Sequence, residues 1–288
     1  MPSQRQLKGR IRSVKNTKQI TKAMQMVAAS KMRRAQEATI ASAMYAETAR
    51  KILAHLAQLG STDGHPLFEQ REVKSRLLIV IASDKGLAGA YNTNVAKAYI
   101  KELLSDEAAK IDTKAIAVGR KVTQFATRLK GAVIEGVYED LPEVLDGSEL
   151  RAALDSAYKM FVEGEVDAVD VIYTQYVSSI TQTPKVERLL PAGKAASDEK
   201  YTATDVLFEP DAETVLEAVV YRLVGAQLFQ ALLDARASEH SMRMMAMKNA
   251  TDNASDLIDD LTLAMNKARQ AAITQELAEI SGGSEAMK

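Results

Sequence analysis

The sequence predicts an α/β protein: a long antiparallel coiled coil of N- and C-terminal helices with an inserted Rossmann-like three-layer α/β domain. Three observations predict it. A long heptad stripe runs through the C-terminal segment. A second stripe runs through the N-terminal segment. Between them, short apolar runs alternate with helical patterns.

The C-terminal segment is the strongest of the three. Asp211 to Ser281 holds no proline and one glycine, Gly225. On a 4,3 spacing from Val219 to Ala272, thirteen of sixteen positions are Ala, Val, Leu, Ile or Met, which is a seam far longer than a globular helix needs. A helix of roughly 70 residues would reach about 100 Å. No compact domain buries such a rod, so its stripe needs a partner helix. The other end of the chain offers one. Between Gly9 and Gly60 there is neither glycine nor proline, and Leu7, Ile11, Val14, Ala28, Met32, Ala35, Ala46, Ala49, Leu53 and Leu56 share one 4,3 spacing. Lys18, Thr21, Gln25, Thr39 and Ser42 fall on the same stripe and weaken its middle.

Taken in order, residues 1–60 form the N-terminal helix, 75–195 the α/β domain and 209–288 the C-terminal helix. Gly60 supplies a stop, and Ser61 to Pro66 reads as a turn-rich linker. Leu77 to Ala82 is a continuous apolar run of strand length, the pattern of a strand buried on both faces. A loop from Ser83 to Asn92 leads into a helix ending near Leu104. Ala115 to Val118 reads as a strand, Arg120 to Leu129 as a helix, Ala132 to Val137 as a strand and Leu150 to Glu163 as an amphipathic helix. Ala168 to Tyr176 and Lys185 to Leu190 read as a strand pair, with Thr183 and Pro184 nearby. The alternation implies a mostly parallel sheet. Lys194 to Thr204 is polar linker, and Pro210 or Asp211 starts the last helix.

Composition excludes several functions. The chain has 288 residues, a net charge of −1 and no cysteine, so disulfides, thiolate nucleophiles and cysteine zinc sites are out. No apolar window of about 18 residues spans a membrane, and no secretory signal opens the chain. The even charge hides a local field: residues 1–36 carry ten basic residues, and Glu37 is the first acid. Such a run is a solvated face or the meeting surface for an acidic partner. Without aromatics it offers no platform for stacked bases, which argues against nucleic acid.

The candidate sites mostly dissolve. Gly86 and Gly89 follow the first strand, but their spacing fits neither dinucleotide nor phosphate-loop patterns, so a glycine-requiring turn is expected. His55, His65 and His240 lack metal spacing, and His240 falls on the helical seam as a packed residue. Asp256, Asp259 and Asp260 form one acidic helix face. No nucleophile, base and orienter can be assembled from spacing, so no catalytic residue, metal or cofactor is expected. The reading is an interaction protein. A nucleic-acid-binding coiled coil and a nucleotide-binding enzyme are the rivals.

The two ends then become specific. Ile11 through Met32 closely resembles the N-terminal helix of the gamma subunit of F-type ATP synthases, of the bacterial kind. Ser238-Glu239-His240, Met247 through Ala254 and Asn266 through Leu277 resemble that family's C-terminal signature. The resemblance implies a central rotor shaft inside a hexamer of alternating alpha and beta subunits. It places the α/β domain as a foot against the epsilon subunit and the membrane ring of c subunits. It implies ion-driven rotation coupled to ATP synthesis or hydrolysis in the hexamer, with no active site in this chain. The location implied is peripheral, on the cytoplasmic face of the bacterial plasma membrane and held there only through the complex. By motif match, Arg269, Gln270 and Thr274 resemble the contact with a beta-subunit catch loop, and Met24 resembles the methionine beside an acidic lever segment of beta. Lys18, Lys22, Lys31, Arg33 and Arg34 would face such acidic segments. Tyr201 and Glu209 match the region where the foot meets the c ring or epsilon. The absence of cysteine removes the thiol regulation of the chloroplast form.

Overall fold

A computed structural model describes residues 3–58, 65–129, 133–193 and 212–286. The elements follow in the order α1 (Gln4–Gln58), a 3-10 turn (Pro66–Phe68), β1 (Ser75–Ile81), α2 (Tyr91–Ala109), β2 (Asp112–Val118), α3 (Arg120–Ala126), β3 (Val133–Tyr138), α4 (Arg151–Val162), β4 (Ala168–Tyr176), β5 (Gln182–Leu190) and α5 (Ala212–Ala286). The chain divides into two compact units, residues 1–29 with 243–288, and residues 30–242. Each unit takes part of α1 and part of α5.

In the larger unit a five-stranded sheet has the order β3-β2-β1-β4-β5. β1 pairs in parallel with β2 and β4, and β5 runs antiparallel to β4 at the edge. The apolar run of β1 is explained by burial on both faces. Leu77, Ile79 and Ile81 point into one cluster with α1, α4 and α5. Leu78 and Val80 point into the other, where Tyr91, Val95 and Tyr99 of α2 meet them at helical i, i+4, i+8 spacing. Two helical layers thus sandwich one sheet, the three-layer arrangement read from the sequence.

The differences from the sequence reading are local. β2 starts at Asp112, three residues before its buried part, because Ser75 to Leu77 of β1 offer pairing partners for residues too exposed to show an apolar run. β5 starts at Gln182 and runs through Pro184, which an edge strand tolerates because one side of its ladder is unpaired. Pro66 opens a 3-10 turn whose Leu67 and Phe68 are buried, so apolar anchoring follows directly on the expected linker. The proposed helix stop at Gly60 and the start of the last helix at Pro210 or Asp211 lie outside the described residues.

Glycine is required at two crossings. Gly119, between β2 and α3, has φ 97°, and a Cβ there would lie 2.3 Å from the Ala82 carbonyl oxygen. Gly193 has φ 84°, and its Cβ would meet Ala57 Cβ at 2.6 Å. Gly89, in the loop after β1, also has positive φ, at 56°. That is the turn the sequence reading expected there.

In the smaller unit, the first part of α1 pairs with the last part of α5. Thr21 Oγ1 and Thr251 Oγ1 lie 2.8 Å apart and fix the register. Gln4 is seventeen residues from Thr21, and Ala268 is seventeen residues from Thr251 in the opposite direction. Ala268 is also the last partly covered residue of α5 among those described. Cover therefore ends where α1 begins, as an antiparallel pair requires.

Candidate functional site

The seam of the smaller unit consumes the 4,3 stripe. Leu7, Ile11, Ala28, Met247, Thr251 and Ala254 are buried, and Val14, Lys18, Thr21, Gln25, Ile258, Leu261 and Met265 are half-buried. Of the polar members, Thr251 Oγ1 lies 2.8 Å from Met247 O in its own helix. What the seam does not use is exposed. Ile20, Met26 and Val27 are about 60% open to solvent, an apolar strip on α1 with no cover from its own chain. Met24 is half-buried beside it, and Lys22 stands exposed. Across the pair, Asp256, Asp259 and Asp260 of α5 are exposed as one acidic face.

The exposed end of α5 carries Arg269, Gln270 and Thr274. Gln270 and Thr274 share a helix face, and Thr274 Oγ1 donates to Gln270 O at 2.9 Å. Arg269 projects free of the seam, where its guanidinium can grip a carboxylate with two bonds. Ile273, Leu277 and Ile280 are exposed on the same turns.

The other predicted contact residues fall in the larger unit, and not all point outward. Lys31 is held by Glu143 of the loop between β3 and α4 at 2.5 Å. Arg33 pairs with Glu37 one turn on, at 3.2 Å, and Arg34 is exposed. Lys31 is thus engaged inside the chain, while Met24, Lys22, Arg33, Arg34, Arg269, Gln270 and Thr274 lie on open or partly open helix surface. Tyr201 and Glu209 lie outside the described residues.

A nucleotide site has a known place in a doubly wound sheet: the crevice at the carboxyl ends of the strands. Here α5 fills it. Leu232, Ala235, Arg236 and Glu239 press against Ile81, Asp84 and Gly119 and leave a cavity of about 10 Å³. That holds at most one water. The loop polar groups are used internally: Asp84 Oδ1 accepts from the amides of Arg120 and Asp140, at 3.0 and 3.2 Å. Among the described residues no cluster of His, Asp or Glu could hold a metal ion, and no helix is long and apolar enough to cross a membrane.

Three features escaped the sequence reading. The Arg76 guanidinium is buried among Asp170, Asp106 and Glu102, with Nη1 at 2.9 Å from both Asp106 and Glu102. Its partners lie at positions 102, 106 and 170, so no local spacing signals them. Asp234 is buried on α5, and desolvation pushes its carboxyl up to about 6, against the pull of Gln230, Lys185 and Arg50. A groove of about 1280 Å³ opens between α1, α4 and α5, walled by Tyr45, Tyr158, Tyr221 and Phe229. Its walls come from three helices far apart in the chain, so no local spacing signals it.

A family model described as ATP synthase matches residues 3–287. ATP synthase gamma chains of Cupriavidus pinatubonensis and Cupriavidus necator are 44% and 42% identical to this chain over 294 positions, covering all of both chains. Among solved structures, the Tetrahymena thermophila mitochondrial ATP synthase (central stalk and c ring) contains a chain that is 27% identical. It matches with a TM-score of 0.57, over 80% of this chain and 99% of that one. A chain of the Euglena gracilis mitochondrial ATP synthase (OSCP, F1 and c ring) has a TM-score of 0.72 over 99% of this chain and 94% of that one. At 19% identity it is a likeness of fold.

Proposed function

The chain belongs to the gamma-chain family of ATP synthases, and from that premise we propose that it is the central stalk subunit of a proton-translocating F-type enzyme, the rotor that couples rotation of the c ring to ATP synthesis and hydrolysis in the alpha–beta hexamer. The single observation that carries this is the identity of 44% spread over the whole of both chains. Two physical features support it: paired terminal helices with uncovered apolar and basic surface, and a doubly wound sheet whose ligand crevice is filled by its own helix.

The subunit itself is non-catalytic; bond-making belongs to the hexamer. Its partners are the alpha and beta subunits, the epsilon subunit and the c ring, and it is held peripherally at the cytoplasmic face of the bacterial inner membrane through them. Residues 1–60 and 209–288 serve as the shaft and 75–195 as the foot. Arg269, Gln270 and Thr274 take the catch-loop contact with beta. Met24, with Lys18, Lys22 and Arg34, meets acidic segments of the hexamer, and Tyr201 and Glu209 meet the c ring or epsilon. Lys31 belongs to the same basic stretch but must exchange Glu143 for any outside partner, whereas Arg33, whose pair with Glu37 is solvent-exposed, stays open to one.

The mechanism needs a magnitude. Moving a site between two affinity states from 1:99 to 99:1 takes about 5.5 kcal/mol of differential interaction. An exposed ion pair gives about 0–1 kcal/mol. The coupling is therefore spread over many contacts along the helix pair. Tagged chain expressed in its native host should co-purify with a hexameric ATPase whose hydrolysis drives ion pumping. Recovery of the chain alone, or with duplex DNA in a salt-dependent complex, would end this reading.

A further inference from the structure

A surface helix shows one buried stripe and one wet face. Between Ala231 and Ser241, α5 departs from this: every residue except Arg236 is buried, on all sides. Yet the stretch is rich in polar side chains, and a buried polar group without a partner is costly. Those side chains are used to grip the α/β domain. Arg236 Nη2 donates to Leu141 O at 3.1 Å, in the loop after β3. Ser238 Oγ donates to Thr174 O at 3.0 Å, at the carboxyl end of β4. Ser241 Oγ donates to Ser179 O at 2.7 Å and accepts from Gln182 Nε2 at 3.2 Å, in the turn joining β4 and β5. Thr174 lies opposite Pro184, which has no amide hydrogen to give. The helix hydroxyl thus reaches a carbonyl beside a proline.

We propose that Arg236, Ser238 and Ser241 are positioning residues: they fasten α5 into the carboxyl-end crevice of the sheet, and this fastening sets the torsional stiffness of the link between the α/β domain and the paired helices. The crevice that a doubly wound fold would offer to a ligand is here a socket for the chain's own helix. A turning force applied to the α/β domain reaches α5 through side-chain bonds to three separate segments as well as through the apolar packing beneath them. The torsional role rests on the stalk reading; the fastening does not.

Two measurements on Ser238→Ala/Ser241→Ala and Arg236→Met test this. In the full chain alone, amide exchange at residues 178–182 and 235–241 should rise about tenfold over the unmodified protein. In the assembled enzyme with the hexamer immobilised and a probe on the ring, the mean-square angular fluctuation should widen about twofold. Arg236→Lys, which keeps one donor, should fall between. Val95→Ala, a core truncation in α2 on the opposite face of the sheet that lowers thermal stability without touching the socket, should leave both readouts unchanged. Unchanged exchange in the variants would overturn the fastening. Faster exchange with unchanged fluctuation, or equal widening in Val95→Ala, would overturn the torsional role. Failure of the unmodified chain to assemble with a hexamer would overturn the stalk reading and the torsional role together, and exchange alone would then decide the fastening.

Discussion

Thr21 and Thr251 stand hydroxyl to hydroxyl at 2.8 Å, although 230 residues separate them in the chain. Thr21 Oγ1 also lies 3.1 Å from Lys18 O, and Thr251 Oγ1 lies 2.8 Å from Met247 O. One hydroxyl donates across the pair, and the other donates back into its own helix. Thr251→Val keeps the shape and should cost about 1 kcal/mol by removing one partner. Replacing both threonines by valine should cost less than the sum of the singles, with a coupling of about 1 kcal/mol. Thermal unfolding of the four full-length chains measures it. Strict additivity would show that the bond adds nothing to the pairing.

Asp234 gives a pH dependence with a definite sign. Its carboxyl is pushed up to about 6 from an ordinary value of 3.8, mainly by desolvation, with the Glu187 carboxylate adding to the rise. The folded chain therefore holds a proton here that the unfolded chain has released. Stability falls as pH rises from about 4 to about 6, by roughly 3 kcal/mol, and is flat on either side for this group. Glu187 acts the other way: although burial alone would raise it, Arg50 and Lys185 hold it below the usual carboxylate value. Its contribution is present above 4.5 and lost in more acid solution. Asp234→Asn should abolish the fall between pH 4 and 6 and raise stability at pH 7. A variant with the parent's pH profile would refute the assignment.

Gly119→Ala should destabilise the larger unit by roughly 2–4 kcal/mol, because φ is positive and the added methyl meets the backbone of Ala82. Gly86→Ala is the control. Its nearest contact would be Lys121 Cε at 3.8 Å, so its cost should stay within about 1 kcal/mol. Denaturant midpoints of the two variants decide it, and equal shifts would contradict the crossing geometry.

Met24→Lys should impair coupling more than Met24→Ala. Met24 is half-buried beside an uncovered apolar strip, in a stretch already rich in cations. Lysine adds a like charge there and a new donor toward any acidic partner; alanine only trims contact. Ions pumped per ATP hydrolysed by the assembled enzyme should fall about twofold for lysine, as expected of roughly 0.5 kcal/mol per contact, and stay near the parent value for alanine. Equal ratios would rule this out.

The helices and most strands were legible because their signals are periodic. Even the weak middle of the N-terminal stripe was read in its proper place: Lys18, Thr21, Gln25, Thr39 and Ser42 are all buried or half-buried in their units. Periodicity registers position, not polarity. The Arg76 cluster was not legible, because three acids from one helix and one strand meet an arginine only through the fold. The filling of the crevice was hidden for the same reason. Nothing in Arg236 or Ser238 says that their partners are the carbonyls of Leu141 and Thr174. The extent of β5 was obscured by Pro184, whose usual meaning is a strand's end.

Among the described residues, the turns of α5 beyond Ala268 have no companion helix and no core beneath them. In a protein most helical stability comes from tertiary packing rather than from propensity, so these turns depend on whatever surrounds them. Trypsin should nick the isolated protein early, after Lys267 and Arg269. Inside a closed sleeve the same bonds would resist digestion, so the rate of cleavage at these two bonds becomes a gauge of how much of the protein has been taken up by its partners.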